Sequence, residues 1–323
     1  MSQPGQTFTI GTRKSQLAMV QAELVRDCLA KAYPEHTFKI EGMTTVGDKV
    51  LDVALSKIGE KSVFTKELEV ALEDGRVDCV VHSLKDLQTT LPPGMVLGAV
   101  LERENPQDAV VLSERSKGHT LATLPPGSVI GTSSLRRVAQ LKRRYPHLVI
   151  KDVRGNLNTR LAKLDDPQGE YAAIILAVAG LVRINQGHRI SHILDPEECL
   201  HAVSQGALGV ECRENDAKTL ALLRGLNHEP TRISTAGERA IMRTLEGGCS
   251  VPIGVHSALD NDTLKLRGLV ASLDGKKVVE HEDQVVLEGD AEKKEQTATE
   301  LGVRIANKLI DLGAGAILQE LAH

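Results

Sequence analysis

The sequence predicts an α/β protein: two similarly built α/β domains followed by a small α+β domain. Three observations predict it. Strand-like and helix-like patterns alternate through the first half, which is the grammar of βαβ units in parallel sheets. Two short stretches, IGTRKSQLA at 10–18 and IGTSSLRRVA at 130–139, repeat one strand–turn–helix design. Beyond residue 228 the pattern changes to a helix, several strand-like segments and one long amphipathic helix.

Taken in order, TFTI (7–10) is strand-like, GTRKS turns, and QLAMVQAELVRDCLAKAY carries apolar residues at helical spacing until Pro34 stops it. FKIEGM is a second strand. TTVGDKVLDVALSKIGEKSVFTKEL is rich in Lys, Asp and Gly with weak periodicity; its 44–63 portion reads as a mobile loop able to cover a cleft, or more plainly as a connector. FTKELEVALEDG is a helix closed by Gly75, and VDCVV a short buried strand. ERENPQDAVVL (102–112) is polar and proline-bearing, suited to a crossing between domains. The strand–Gly-Thr–helix grammar returns in SVIGTSSLRRVAQLKRRYP, and LVIKDV and YAAIILA are further strands. RISTAGERAIMRTLEG is a helix, LKLRGLV and KKVVEHEDQVVL are strand-like, and a helix runs from about Ala291 to Leu312.

Composition bounds the function. At 323 residues the chain is too long for one ordinary core. With 25% charged and 41% hydrophobic residues it has a globular profile, and its net charge of −4 offers no basic field for nucleic acid or an anionic membrane. Three Phe, three Tyr and no Trp leave little for base or sugar stacking. Cysteines 28, 79, 199, 212 and 249 are odd in number and form no CxxC or Cys/His knot, so neither a disulfide framework nor a metal site is expected. MSQPGQTFTIGTRKS shows no secretory h-region, and the longest apolar run, Ala172 to Val182, is too short to span a bilayer. A cytoplasmic monomer is the expectation.

The residues able to do chemistry gather where strands end and helices begin. Arg13 and Ser15 lie in the first strand-to-helix turn; Thr132, Ser133 and Ser134 precede Arg136 and Arg137 in the second. Arg154 and Arg160 flank another such junction, and Arg183 follows the apolar run. Helix N-termini offer unpaired N–H groups and partial positive charge, and guanidinium forks match carboxylates at two points. In an open α/β sheet such turns collect at the carboxyl edge of the strands. A single arginine is more often a surface cap, but a converging set suits a small polyanion, carboxylate or phosphate. KRR at 142–144 is merely favourable charge in a helix's last turn. In VVHSLKDL, Lys85 and Asp86 follow a buried strand: an acid beside a base that can protonate a leaving amine or stabilise a cation, or else an exposed turn. His82 reads as a partly buried strand-end histidine. Cys249, between a glycine pair and a proline in LEGGCSVP, is open to three readings: an inert small residue, a nucleophile, or an attachment point for a covalent group.

The motifs GTRKSQLA, TTVGDKVLD, GEKSVFTKELE, VHSLKDL, ERENPQDAVV, GTSSLRRVAQL, VRGNLNTRLAKLD, AIILAVAGLVR, VSQGALGVECR and LEGGCSVPIG occur in that order. Together they resemble the porphobilinogen deaminase (hydroxymethylbilane synthase) family from about residue 8 to 257, and more loosely to GAGAILQEL. The resemblance implies two periplasmic-binding-protein-like α/β domains around a cleft, 1–103 with 204–227 and 104–203, plus a small α+β domain, 228–323. It implies a transferase that joins four porphobilinogen molecules head to tail, releases ammonia at each step, and frees hydroxymethylbilane with water. By the same resemblance Cys249 carries a dipyrromethane cofactor through a thioether, and Asp86 assists ammonia departure and stabilises positive pyrrole nitrogens. Arg13, Ser15, Lys85, Arg136, Arg137, Arg154, Arg160 and Arg183 would hold acetate and propionate groups; Ser83, Thr132, Ser133, Ser134 and Gln205 would lie near the cofactor.

Two positions depart from the family pattern: Gln88 stands where proline is usual in the KD turn, and Asn185 where glycine is usual after Arg183. A two-lobed small-anion binding or sensing protein without catalysis, and a cysteine-dependent hydrolase, are the rival readings.

Overall fold

The structure, a computed structural model, describes residues 5–45, 65–245 and 251–320. The loop reading of 44–63 therefore falls, from residue 46 on, outside the described residues, as does Cys249. In chain order the elements are β1 (Thr7–Arg13), α1 (Gln16–Ala32), β2 (Thr37–Met43), α2 (Lys66–Glu73), β3 (Cys79–Ser83), β4 (Met95–Val100), β5 (Asp108–Leu112), β6 (Val129–Gly131), α3 (Leu135–Arg144) and β7 (Val149–Lys151). They continue with α4 (Leu157–Asp165), β8 (Tyr171–Ala177), α5 (Val178–Arg183), β9 (His192–Ile193), β10 (Leu208–Arg213), α6 (Ala217–Arg224) and α7 (Glu229–Thr244). The last are β11 (Ile253–Asp260), β12 (Thr263–Ala271), β13 (Val278–Val286), α8 (Ala291–Asp311) and α9 (Ala314–Gln319).

The chain divides into two compact units, Met1–Glu104 with Ala207–Arg232, and Asn105–Gly206 with Ile233–His323. The first holds a five-stranded sheet in the order β2-β1-β3-β10-β4. β1 runs parallel to β2 and β3, while β10 is antiparallel to both β3 and β4. α1 buries Ala22, Val25 and Leu29 against Phe8, Ile10, Val81 and Val210, so the helical and strand periodicities read from sequence meet in one core.

The second unit contains a sheet in the order β7-β6-β8-β5-β9 with the same pattern: two parallel pairings about β6, then antiparallel β5 and β9. The duplication seen in IGT…IGT is thus a duplication of sheet design. Both glycines sit where neighbouring side chains crowd the space a Cβ would take. A Cβ on Gly11 would meet Met43, Val80 and Val77 at 3.0–3.2 Å, and one on Gly131 would meet Ile174 and Tyr171 at 2.9 Å. The expectation of parallel sheets needs correction, since each sheet is mixed. DAVVL and LGVECR are short, largely buried segments whose composition carries no direction.

The same unit also holds the antiparallel sheet β11-β12-β13. Leu264, Leu266 and Val270 pack with Leu301, Ile305 and Leu309 of α8 in its core, the small α+β element expected from the last part of the sequence. His201 bridges to Val255, and Ala139 and Leu200 share a cluster with Leu269 and Ala271, which ties this sheet to its neighbour. Among the described residues, no helix is long and apolar enough to cross a membrane.

Candidate active site

In the first unit, adjacent parallel strands β1 and β3 end at Arg13 and Ser83, so their following turns leave the sheet at one carboxyl edge. Ser15 is the N-cap of α1, its Oγ accepting from Ala18 N at 3.4 Å. After Ser83 the chain makes a single 3-10 turn, Leu84–Asp86. Leu84 and Leu87 are fully buried on either side of it, and Leu84 N donates to Ala207 O at 3.0 Å. Between these anchors Lys85 is half-buried and Asp86 exposed. The apolar residues of SLKDL thus hold the turn while its acid and base face outward.

Leu84→Ala is expected to cost about 2–5 kcal/mol, the range for emptying a buried leucine site, and to lower turnover because the turn loses its anchor. Chemical denaturation and a rate assay on the same sample check both.

Behind the turn lie two partners that the sequence did not single out, Gln21 and Glu211. Gln21, buried on α1, exchanges two hydrogen bonds with Ser83: its Nε2 donates to Oγ at 2.9 Å, and Oγ donates to its Oε1 at 3.1 Å. His82 is buried and its Nε2 lies 2.9 Å from Glu211 Oε2 on β10. It is a buried strand-end histidine, as its position suggested, but with a carboxylate partner from 129 residues away. Nearby, burial raises the Glu69 carboxyl; a hydrogen bond from Thr65 opposes that rise and the charge of Glu211 adds to it.

In the second unit, Ser134 caps α3 by position, with its N–H donating to Thr132 Oγ1 at 3.3 Å, and Ser133 Oγ donates to Val153 O at 2.6 Å. Arg136 and Arg137 in the first turn of α3 do not point to solvent. Both are buried, and both bind Asp108: Arg136 Nη1 donates to Oδ2 at 2.7 Å and Arg137 Nη2 to Oδ1 at 2.6 Å. Arg136 Nη1 also donates to Leu200 O and Arg137 Nη1 to Ile175 O, each at 2.7 Å. Gln205, likewise buried, donates from Nε2 to Asp108 Oδ1 at 2.8 Å and to Pro106 O at 2.6 Å. Burial alone would raise the Asp108 carboxyl, but the charges of Arg136 and Arg137 overcome it and hold it far below the usual range.

The other arginines are half-buried. Arg154 Nε donates to Asp152, Arg160 Nε to Gly155 O at 2.8 Å, and Arg183 Nη2 to Gly206 O at 2.7 Å. Asn185, two residues after Arg183, has φ 58°. Its departure from glycine is therefore conformationally mild, because asparagine tolerates the left-handed region better than other side chains.

Cys79, Cys199 and Cys212 are buried free thiols. Burial pushes Cys199 up to about 12 and Cys212 up to about 11, and raises Cys79 as well, so none of the three is a nucleophile near neutral pH. Cys28 is exposed, on a face of α1 bearing Leu24 and Asp27.

A carboxylate-bearing group would find a donor in the cluster around Asp108. Arg137 Nε is buried without a hydrogen-bond partner among the described residues, in a cluster of two guanidiniums against one carboxylate. An unpaired donor beside a surplus positive charge is what a ligand carboxylate would satisfy.

Comparison with known proteins points the same way. Residues 8–221 match the family described as porphobilinogen deaminase, dipyromethane cofactor binding domain, and residues 233–311 match porphobilinogen deaminase, C-terminal domain. A porphobilinogen deaminase of Synechococcus elongatus is 54% identical over 321 residues, covering 99% of this chain and 97% of that protein. One from Gloeobacter violaceus is 53% identical, covering 98% and 94%, and one from Nostoc sp. is 50% identical, covering 99% and 96%.

Proposed function

The chain belongs to the porphobilinogen deaminase family, and from that premise we propose which of its residues perform the reaction. The enzyme is a transferase of tetrapyrrole biosynthesis, and it uses a dipyrromethane cofactor. Four porphobilinogen molecules are joined head to tail with loss of ammonia, and hydroxymethylbilane is released by water. When bound, the cofactor supplies the pyrrole end to which the first substrate is joined.

Asp86 is the catalytic carboxylate. The observation that carries this assignment is its exposure on a turn held at both ends by buried leucines, at the edge where Arg13 also emerges. A fixed carboxylate in that position accepts the proton of a pyrrole N–H or stabilises positive charge that develops there, and Lys85 beside it attracts substrate carboxylates. Arg13, Arg154, Arg160 and Arg183 hold acetate and propionate groups, each pyrrole bringing two. Half-burial gives them a fixed aim without removing them from ligand. Ser15, Ser83, Thr132, Ser133 and Ser134 add hydroxyl or cap donors near the cofactor, and Arg136, Arg137 and Gln205 form the interior of the same carboxylate-binding apparatus. Cys249 is the point of covalent attachment. The three-domain partition, 1–103 with 204–227, 104–203 and 228–323, is supported by three sheets with separate cores. The protein acts as a cytoplasmic monomer.

The rival, a two-lobed binding protein without chemistry, is separated by one measurement. The intact mass of purified protein is expected to exceed that of the chain by a dipyrromethane, with the addition mapping to the peptide containing Cys249. An unmodified chain that binds porphobilinogen without consuming it would favour the rival.

A further inference from the structure

Asp108 opens β5, has no exposed surface, and lies in a part of the sequence that carried no chemical reading. Its carboxylate is surrounded. Oδ1 accepts from Arg137 and Gln205, and Oδ2 accepts from Arg136, with the Cys199 thiol 3.7 Å away. No face of it is left for a ligand, so it cannot act by touching substrate.

Its effect is on the two arginines. They are consecutive residues in the first turn of a helix, the end where the helix dipole disfavours cations, and they repel one another. Without a counter-charge neither guanidinium would stay in the interior. Asp108 takes one nitrogen from each, and the carbonyls of Leu200 and Ile175 take a second contact. With two guanidinium planes fixed at one carboxylate, Arg137 Nε is a fully buried nitrogen left without a partner among the described residues. The cluster keeps one uncompensated positive charge.

The support is itself supported. Gln205 lies in a turn where Ser204 has φ 61°, and Ser204 N donates to the buried carboxylate of Glu238 at 2.7 Å. Asp108 is thus gripped from strand, helix and turn, all within one unit.

We infer that Asp108 is a positioning residue for ligand carboxylates: it sets the plane of Arg137, and with it the spare Nε, so that an acetate or propionate group completes the cluster. This rests on the proposed role of Arg137, and the experiment separates the two. Asp108→Glu keeps the charge but lengthens the side chain by one methylene, displacing both guanidiniums. The expected result is a melting temperature close to the unmodified protein's, a smaller fraction of purified chain carrying the cofactor mass, and a KM for porphobilinogen raised about tenfold or more. A role confined to stability would instead lower the melting temperature and leave loading and KM alone, and wild-type loading and KM in folded Asp108→Glu overturn the inference.

Arg137→Gln is the companion. If it too loads and binds normally, the carboxylate role of Arg137 falls and the inference with it; if it is impaired while Asp108→Glu is normal, only the inference falls. Should Asp108→Glu not fold, Arg136→Met is compared with the charge-balanced double variant Asp108→Asn/Arg136→Met. A further tenfold rise in KM in the double variant supports positioning by Asp108, and equality of the two overturns it.

Discussion

Cys249→Ala is expected to give a folded chain of unmodified mass that makes no hydroxymethylbilane above background. α7 ends at Thr244 and β11 starts at Ile253; Leu245 and Ile253 on either side of the segment are buried in the core beneath the third sheet. The two ends are held whether or not a thiol stands between them, so the melting temperature should stay near that of the unmodified protein. Activity should not survive, because a methyl group cannot form the thioether and the three buried cysteines cannot replace the anchor. Cys79, Cys199 and Cys212 are buried, and burial keeps their thiols protonated. Mass spectrometry and a discontinuous product assay check both halves. Normal activity without added mass would remove Cys249 from the mechanism.

Asp86→Asn is expected to retain the cofactor mass and lose about 10²–10³-fold in kcat, the scale on which a single preorganised electrostatic stabiliser acts. The amide keeps the size of the carboxylate, and the turn is held by Leu84 and Leu87 rather than by Asp86, so geometry is preserved. What is lost is negative charge where positive charge develops and an acceptor for a proton. Because the residue is exposed and takes no part in a buried network, stability should change little. A kcat within twofold of the unmodified protein would sink the assignment, whereas a raised KM at constant kcat would recast Asp86 as a binding group.

Much of the arrangement is legible in the sequence. Arg13 at a strand's end, Ser15 as a helix cap, and the Lys85–Asp86 turn after a buried strand follow from local patterns of hydrophobicity, cap residues and glycine. The paired IGT motifs announced two sheets of one design. The mixed direction of those sheets was not legible. Strand direction depends on which neighbour a strand meets, and β5 and β10 each take their place only after the chain has passed from one unit to the other.

The same limit applies to charge. Arg136 and Arg137 were legible as anion binders because the helix N-terminus before them was visible, but their common partner, 28 and 29 residues earlier, was not. An aspartate heading an apolar strand was the available signal, since a charge at the start of a fully buried run calls for a partner. Glu211 within LGVECR gave the same signal for His82.

By itself, then, the sequence determined the elements, their duplication and the motifs that carry the family, because these rest on residues near one another along the chain. Only the tertiary structure decided which charges are spent on one another inside and which face outward. Pairing energy depends on distance in space and on burial, and both are set when distant segments such as β5, α3 and the Gln205 turn are brought to a single carboxylate.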